Sequence, residues 1–204
     1  MSMPGRAATS NIRDPRGDWR ALRRLAGEHA GFFTTRQVLR TGCEARIRTA
    51  LVEGTVARVG IGLLRMTDWP HGPLDEYAMW SAWFDGAAAV SHHSAAELFG
   101  LGRLRPSYLH LCADGGRRPG VPGLVVLRRR LCRADVVSAG SFLVTTPVRT
   151  VLDLAETGLG QPALDEVVAD AVAINRCAGS EIRSATATVP PAAAARVRRA
   201  LARV

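Results

Sequence analysis

Lysine is absent: all 27 basic residues of the 204-residue chain are arginine. No lysine is therefore available for a P-loop, a kinase-type phosphate clamp or a Schiff base, and a nuclease of the Asp–ExK type would lack its third residue. Arginine stays charged at physiological pH and grips phosphate through a planar fork. Aromatic residues are scarce, at 5%, so the core has to rest on Ala, Val and Leu. The cysteines Cys43, Cys112, Cys132 and Cys177 are widely spaced and include no CxxC pair. That spacing suggests neither a zinc site nor a disulfide framework, and free thiols fit a reducing cytosol. No apolar run approaches the ~20 residues of a membrane span. The opening MSMPGRAATSN lacks the apolar centre of a signal peptide. A cytoplasmic protein with no membrane partner is expected. G-x-S-x-G, H-E-x-x-H, the P-loop, the kinase Gly-rich loop and the HRD block are all missing.

Hydrophobic residues make up 47% and the formal net charge is +9. The first supports a real core; the second favours an acidic partner, for which nucleic acid is the usual choice. The excess leans to one end. Residues 16–68 carry 10 Arg against 5 acids, residues 71–155 carry 9 against 7, and residues 156–204 carry 6 against 5.

Residues 1–15, with Pro4, Gly5 and Pro15, read as a tail. Trp19, Leu22 and Leu25-Ala26 recur at helical spacing between Asp18 and His29. Thr34 and Gln37 form a capping box ahead of Val38-Leu39, and Gly42 stands where a helix C-cap belongs. A further helix runs from about Glu44 to Glu53, with Ile47, Ala50 and Leu51 as its buried stripe. Thr55–Val59 and Leu63–Met66 flank Gly60-Ile61-Gly62 as a hairpin. Helix, short helix, turn, helix and hairpin within about 50 residues predict a winged helix-turn-helix over residues 16–70. Arg46 and Thr49, with Arg48 on the flank, lie opposite the buried stripe and suit a helix that enters the major groove. Arg58 and Arg65 sit on the wing, placed for phosphates or the minor groove. Thr35, Arg36 and Gln37 join them as expected DNA contacts. A solvated amphipathic helix beside an ordinary hairpin is the plainer alternative.

The Pro- and Gly-rich stretch Trp69–Pro73 marks a boundary. Beyond it, Asp75–Phe84, Ser94–Phe99, Val148–Ala155, Pro162–Arg176 and Ala192–Val204 read as helices. Ala87–Ser91, Tyr108–Cys112, Leu124–Arg128 and Phe142–Val144 read as strands. Thr146 caps a helix whose first residue is Pro147. The whole is an α+β chain: an N-terminal winged helix-turn-helix, then a mixed domain over 71–204 that ends in helices.

Three segments carry a family resemblance: Phe32-Phe33-Thr34-Thr35-Arg36-Gln37-Val38-Leu39, the block Val90–Leu101 (VSHHSAAELFGL) and the block Val144–Ala155 (VTTPVRTVLDLA). Together they resemble the AbiEi antitoxin family of bacterial type IV toxin–antitoxin systems over roughly residues 16–155. The turn Gly60-Ile61-Gly62-Leu63 departs from the family's usual Arg-Gly-aromatic wing. The resemblance implies a transcriptional repressor that binds its own operator DNA. It also implies an antitoxin whose second domain opposes a cognate nucleotidyltransferase-like toxin, with which it need not form a stable complex. An inverted-repeat operator is expected, since helix-turn-helix proteins commonly match two-fold sites.

Some residues invite chemistry. His92 and His93 are adjacent and point apart, so they do not readily share one metal; capping of the following helix by Ser91 or His93 is the favoured reading. Asp153 lies four residues after Arg149, the spacing of an intrahelical ion pair. Asp114-Gly115-Gly116-Arg117-Arg118 reads as a hairpin turn or a phosphate-holding loop, and Arg128-Arg129-Arg130 as a solvated run or a patch for an acidic partner. No cofactor or metal is expected. The alternative is an atypical kinase that phosphorylates the toxin, using ATP and Mg²⁺ with His92, His93, Asp114, Arg117, Arg118 and Asp153 as candidates.

Overall fold

In the computed structural model, which describes residues 17–115 and 119–204, local signals set the first elements. Asp18 accepts from the Ala21 N–H at 2.8 Å and opens α1 (Trp19–Gly27), which buries Leu22 and Ala26. Phe32–Thr34 forms a short strand, β1, that pairs antiparallel with β3 (Leu63–Met66); no strand is foreseen there from sequence. The capping box is present: the Gln37 N–H donates to Thr34 Oγ1 at 3.2 Å and the Thr34 N–H to Gln37 Oε1 at 2.7 Å. It starts α2 (Thr35–Thr41), which ends on Gly42 in the left-handed conformation (φ 67°) that glycine adopts freely. Then follow α3 (Glu44–Val52) and β2 (Val56–Gly60). Strand β2 closes the antiparallel sheet β1-β3-β2, with a bulge between Arg58 and Gly60. Leu22, Ala26, Phe33, Val38, Cys43, Ile47, Val56, Leu64 and Met66 make one core.

The chain divides into two compact units between His71 and Gly72. The second begins with α4 (Asp75–Trp83), β4 (Ala88–Val90), α5 (His92–Phe99), β5 (Leu109–Ala113) and β6 (Leu124–Arg128). It continues through β7 (Val136–Ser138), β8 (Leu143–Thr145) and α6 (Pro147–Glu156). The helices α7 (Gln161–Ala173), α8 (Gly179–Ala185) and α9 (Pro191–Leu201) complete it. The strands form a mixed sheet of order β6-β5-β4-β8-β7. Strand β4 runs antiparallel to β5 and parallel to β8, and β5 runs parallel to β6. The segment after Ala113 is therefore a crossover and not the expected hairpin turn. Gly116, Arg117 and Arg118 within it, like the tail 1–15, lie outside the described residues.

Trp80, Val90, Leu109, Leu111, Phe142 and Val144 fill the core that involves the sheet. A larger helical core joins Ala96, Leu101, Val151, Leu154, Leu164, Val168, Ile182 and Val197. Its packing is tight at Gly102, whose φ is +63° and where a Cβ would meet Val167 Cγ2 at 2.8 Å. Small residues do the work that the scarce aromatics do not: Ala95, Ala96, Ala171 and Ala200 are fully buried. The chain is α+β. Among the described residues no helix is long and apolar enough to cross a membrane.

Candidate functional site

Burial of Ile47 and Ala50 fixes the roll of α3 and leaves Ala45, Arg46, Arg48, Thr49 and Val52 exposed. The Arg46 guanidinium lies 4.3 Å from the centre of the Trp19 ring, a stacking contact that restrains a long side chain. Thr35 and Arg36 are exposed at the start of α2. The Thr35 N–H donates to Gly62 O at 3.0 Å, which ties the turn between β2 and β3 to that helix. Arg58 is exposed on β2, and Ile61 stands almost wholly in solvent at the turn.

Two expected DNA contacts are corrected. Gln37 is 1% exposed because its side chain is spent closing the capping box. Arg65 is 3% exposed. Its Nη2 donates to Pro70 O at 2.9 Å, its Nη1 lies 2.8 Å from His71 Nε2, and its guanidinium sits 5.0 Å from the Phe32 ring centre. It anchors the end of the first unit from within.

The second unit holds a buried polar centre. His92 opens α5 with φ +51°, a left-handed conformation that few non-glycine residues adopt. Ser91 occupies the N-cap position without a side-chain cap bond. Its Oγ instead lies 3.0 Å from His92 Nδ1, so the expected capping role is corrected: the hydroxyl is directed to the imidazole. Cys112 Sγ, on β5, lies 3.9 Å from the same nitrogen. A His92 ring nitrogen, Cys112 Sγ and an Asp153 carboxylate oxygen all fall within 4.8 Å of one another, and all three residues are buried.

The Arg149–Asp153 pair forms as its spacing predicts, with Nε and Nη2 donating to Asp153 Oδ1 at 2.9 and 2.5 Å. Arg129 lies 3.5 Å from the same oxygen and forks onto Glu156 at 2.6 and 3.2 Å. Among the described residues Asp153 Oδ2 has no hydrogen-bond partner. Two guanidinium groups and two carboxylates thus balance around an imidazole and a thiol. Burial, helped by His110 and the two arginines, pushes the His92 imidazole down to about 3. Burial likewise pushes the Cys112 thiol up to about 11. It also raises the Asp153 carboxyl, against the pull of Arg149 and Arg129.

A cysteine, a histidine and an aspartate within 4.8 Å of one another match the composition of a nucleophilic triad. Here the three are 0%, 2% and 0% exposed, and the thiol is held protonated. No substrate reaches such a group, so the arrangement suits structure or ion binding better than acyl transfer.

No family model and no curated protein matches the chain. A solved structure does. The crystal structure of the Rv2827c protein from Mycobacterium tuberculosis resembles this fold with a TM-score of 0.54 at 16% identity, over 94% of this chain and 80% of that one. At that identity the likeness speaks to the fold alone.

Of the residues considered for phosphoryl transfer, His92 and Asp153 come together at the buried centre. His93 is half-buried against His110, ring centres 4.9 Å apart, and Asp114 is exposed at the end of β5. Ser91, Cys112, Arg129 and Glu156 are members that sequence reasoning missed. Arg129 was hidden in a run that looks solvated, and Cys112 carries no spacing signal because its partners sit on other elements.

Proposed function

We propose that the chain is a DNA-binding antitoxin of the AbiEi type, with the first unit acting as a winged helix-turn-helix on the promoter of its own gene. The observation that carries this reading is the exposed Arg46, Arg48 and Thr49 face of α3, presented after α1, β1 and α2 and followed directly by the β2–β3 hairpin. That order is the one in which a recognition helix precedes a wing. Arg36 and Arg58 supply further cationic surface for phosphates.

The second unit opposes a nucleotidyltransferase-like toxin in this reading. Support comes from the blocks Val90–Leu101 and Val144–Ala155, which carry the family resemblance. They pack on one another: β4 runs beside β8, and Ala96 and Leu101 share a core with Val151 and Leu154. They build a scaffold around the buried centre. Toxin phosphorylation is the weaker reading, because Asp153 is buried and bonded to Arg149, out of reach of a molecule the size of ATP.

A gel shift tests the DNA half: the protein retards its own upstream DNA in preference to a scrambled duplex, and Arg46→Ala weakens this by about 1–3 kcal/mol if Arg46 grips a guanine. Equal retardation of both duplexes contradicts it. Co-expression with the product of the adjacent gene tests the antitoxin half, and undiminished toxicity contradicts that.

A further inference from the structure

We infer that His92, Cys112 and Asp153 form a binding site for one zinc-like divalent ion inside the second unit. Three donors of different chemistry, an imidazole nitrogen, a sulfur and a carboxylate oxygen, converge within 4.8 Å from α5, β5 and α6, and each belongs to a buried residue. A borderline-soft ion takes this set; Mg²⁺ and Ca²⁺ prefer oxygen alone. Around a tetrahedral ion with bonds of ~2.0–2.3 Å, neighbouring ligand atoms stand roughly 3.5 Å apart. Cys112 Sγ and His92 Nδ1, at 3.9 Å, are close to that separation already, and the carboxylate has about an ångström to travel.

An independent observation points the same way. Asp153 is fully buried, yet its Oδ2 accepts no hydrogen bond among the described residues, although Oδ1 takes two from Arg149. A buried carboxylate oxygen without a donor is costly, and native structures seldom leave one. A cation on that oxygen removes the cost. Ser91 Oγ, 3.0 Å from His92 Nδ1, stands at the fourth position. The neighbouring Arg149 and Arg129 oppose a bare cation, but both are matched by Asp153 and Glu156. Binding releases the Cys112 thiol proton to solvent as the sulfur–metal bond forms, so the centre gains one positive charge rather than two. All three donor residues are buried, as around structural ions, and the ion would pin α5, β5 and α6 together.

Cobalt(II) is the probe, added to the full-length protein after chelator treatment. The expected result is one Co²⁺ per chain with a thiolate-to-cobalt charge-transfer band, bleached by stoichiometric Zn²⁺. Cys112→Ser abolishes the band, while Cys132→Ser and Cys177→Ser keep it. His92→Asn weakens binding by at least about tenfold. Absence of the band, or its survival in Cys112→Ser, overturns the inference. Should Cys112→Ser not fold, X-ray absorption on the zinc-loaded natural protein decides: one sulfur with nitrogen and oxygen ligands supports the site, and a shell without sulfur refutes it.

Discussion

Replacing Arg65 by alanine distinguishes a structural arginine from a DNA-reading one. The side chain is 3% exposed and donates to Pro70 O at 2.9 Å, lies 2.8 Å from His71 Nε2 and stacks 5.0 Å from the centre of the Phe32 ring. A hydrogen bond from a charged donor contributes about 1.5–3 kcal/mol, and a partly desolvated cation–π contact about 0.5–2 kcal/mol. Truncation also strands the Pro70 carbonyl and leaves a void beside Phe32. Allowing for water that enters the gap, the loss is about 3 kcal/mol from the first unit. In a unit of that size each kcal/mol moves the midpoint by about 4–8 °C, so its melting transition falls by roughly 12–24 °C. Differential scanning calorimetry reads this directly, and urea titration followed by tryptophan fluorescence gives the free energy. DNA affinity, measured well below the lowered midpoint, is unchanged within about twofold, because the guanidinium is inside the fold. A variant that melts like the natural protein but loses DNA binding contradicts the buried role and returns Arg65 to the surface of the hairpin.

Other outcomes follow from the same geometry. Thr34→Ala removes one arm of the capping box and destabilises the first unit by about 1 kcal/mol in urea titration. Gly102→Ala forces a Cβ to within 2.8 Å of Val167 Cγ2 at φ +63°, a clash and a strain that together cost about 2 kcal/mol in the second transition. Arg149→Met strands the buried Asp153 carboxylate with only the more distant Arg129 for company, and costs about 3 kcal/mol or more in the same transition. Were four arginines, Arg36, Arg46, Arg48 and Arg58, each to meet a phosphate, the slope of log K against log salt would be about −3 to −4, and Arg58→Ala would reduce its size by about one. A slope unchanged by that substitution removes Arg58 from the interface.

What was legible in the sequence is what local physics decides. The capping box of Thr34 and Gln37, the left-handed Gly42 and the Arg149–Asp153 pair all act within four residues, and all appear as read. The same box should have withheld Gln37 from DNA, since a side chain that bonds the Thr34 N–H has no reach left. Arg65 turns inward because β1 pairs beside β3 and sets Phe32 opposite it, and alternation on a short hairpin does not reveal that third strand. Strand β1 itself is three residues long, too short for a periodic signal. The parallel pairing of β4 with β8 and of β5 with β6 depends on long-range closure. That closure is what brings Cys112 and Asp153 to His92, and no spacing along the chain announces it. Ser91 and His93 read as caps because a polar residue before an apolar helix usually is one; the φ of +51° at His92 and its contact with Ser91 are visible only in three dimensions.

Whether the exposed face of α3 reads DNA decides the proposed function. Fluorescence anisotropy of the full-length protein on its own upstream duplex and on a scrambled duplex, at two salt concentrations, measures this. The expected result is a clear preference for the native duplex, lost in the double variant Arg46→Ala/Arg48→Ala while its melting profile is retained, with weak salt-dependent binding left on both duplexes. Equal affinity for the two duplexes in the natural protein, or a preference that survives the double variant, would contradict it.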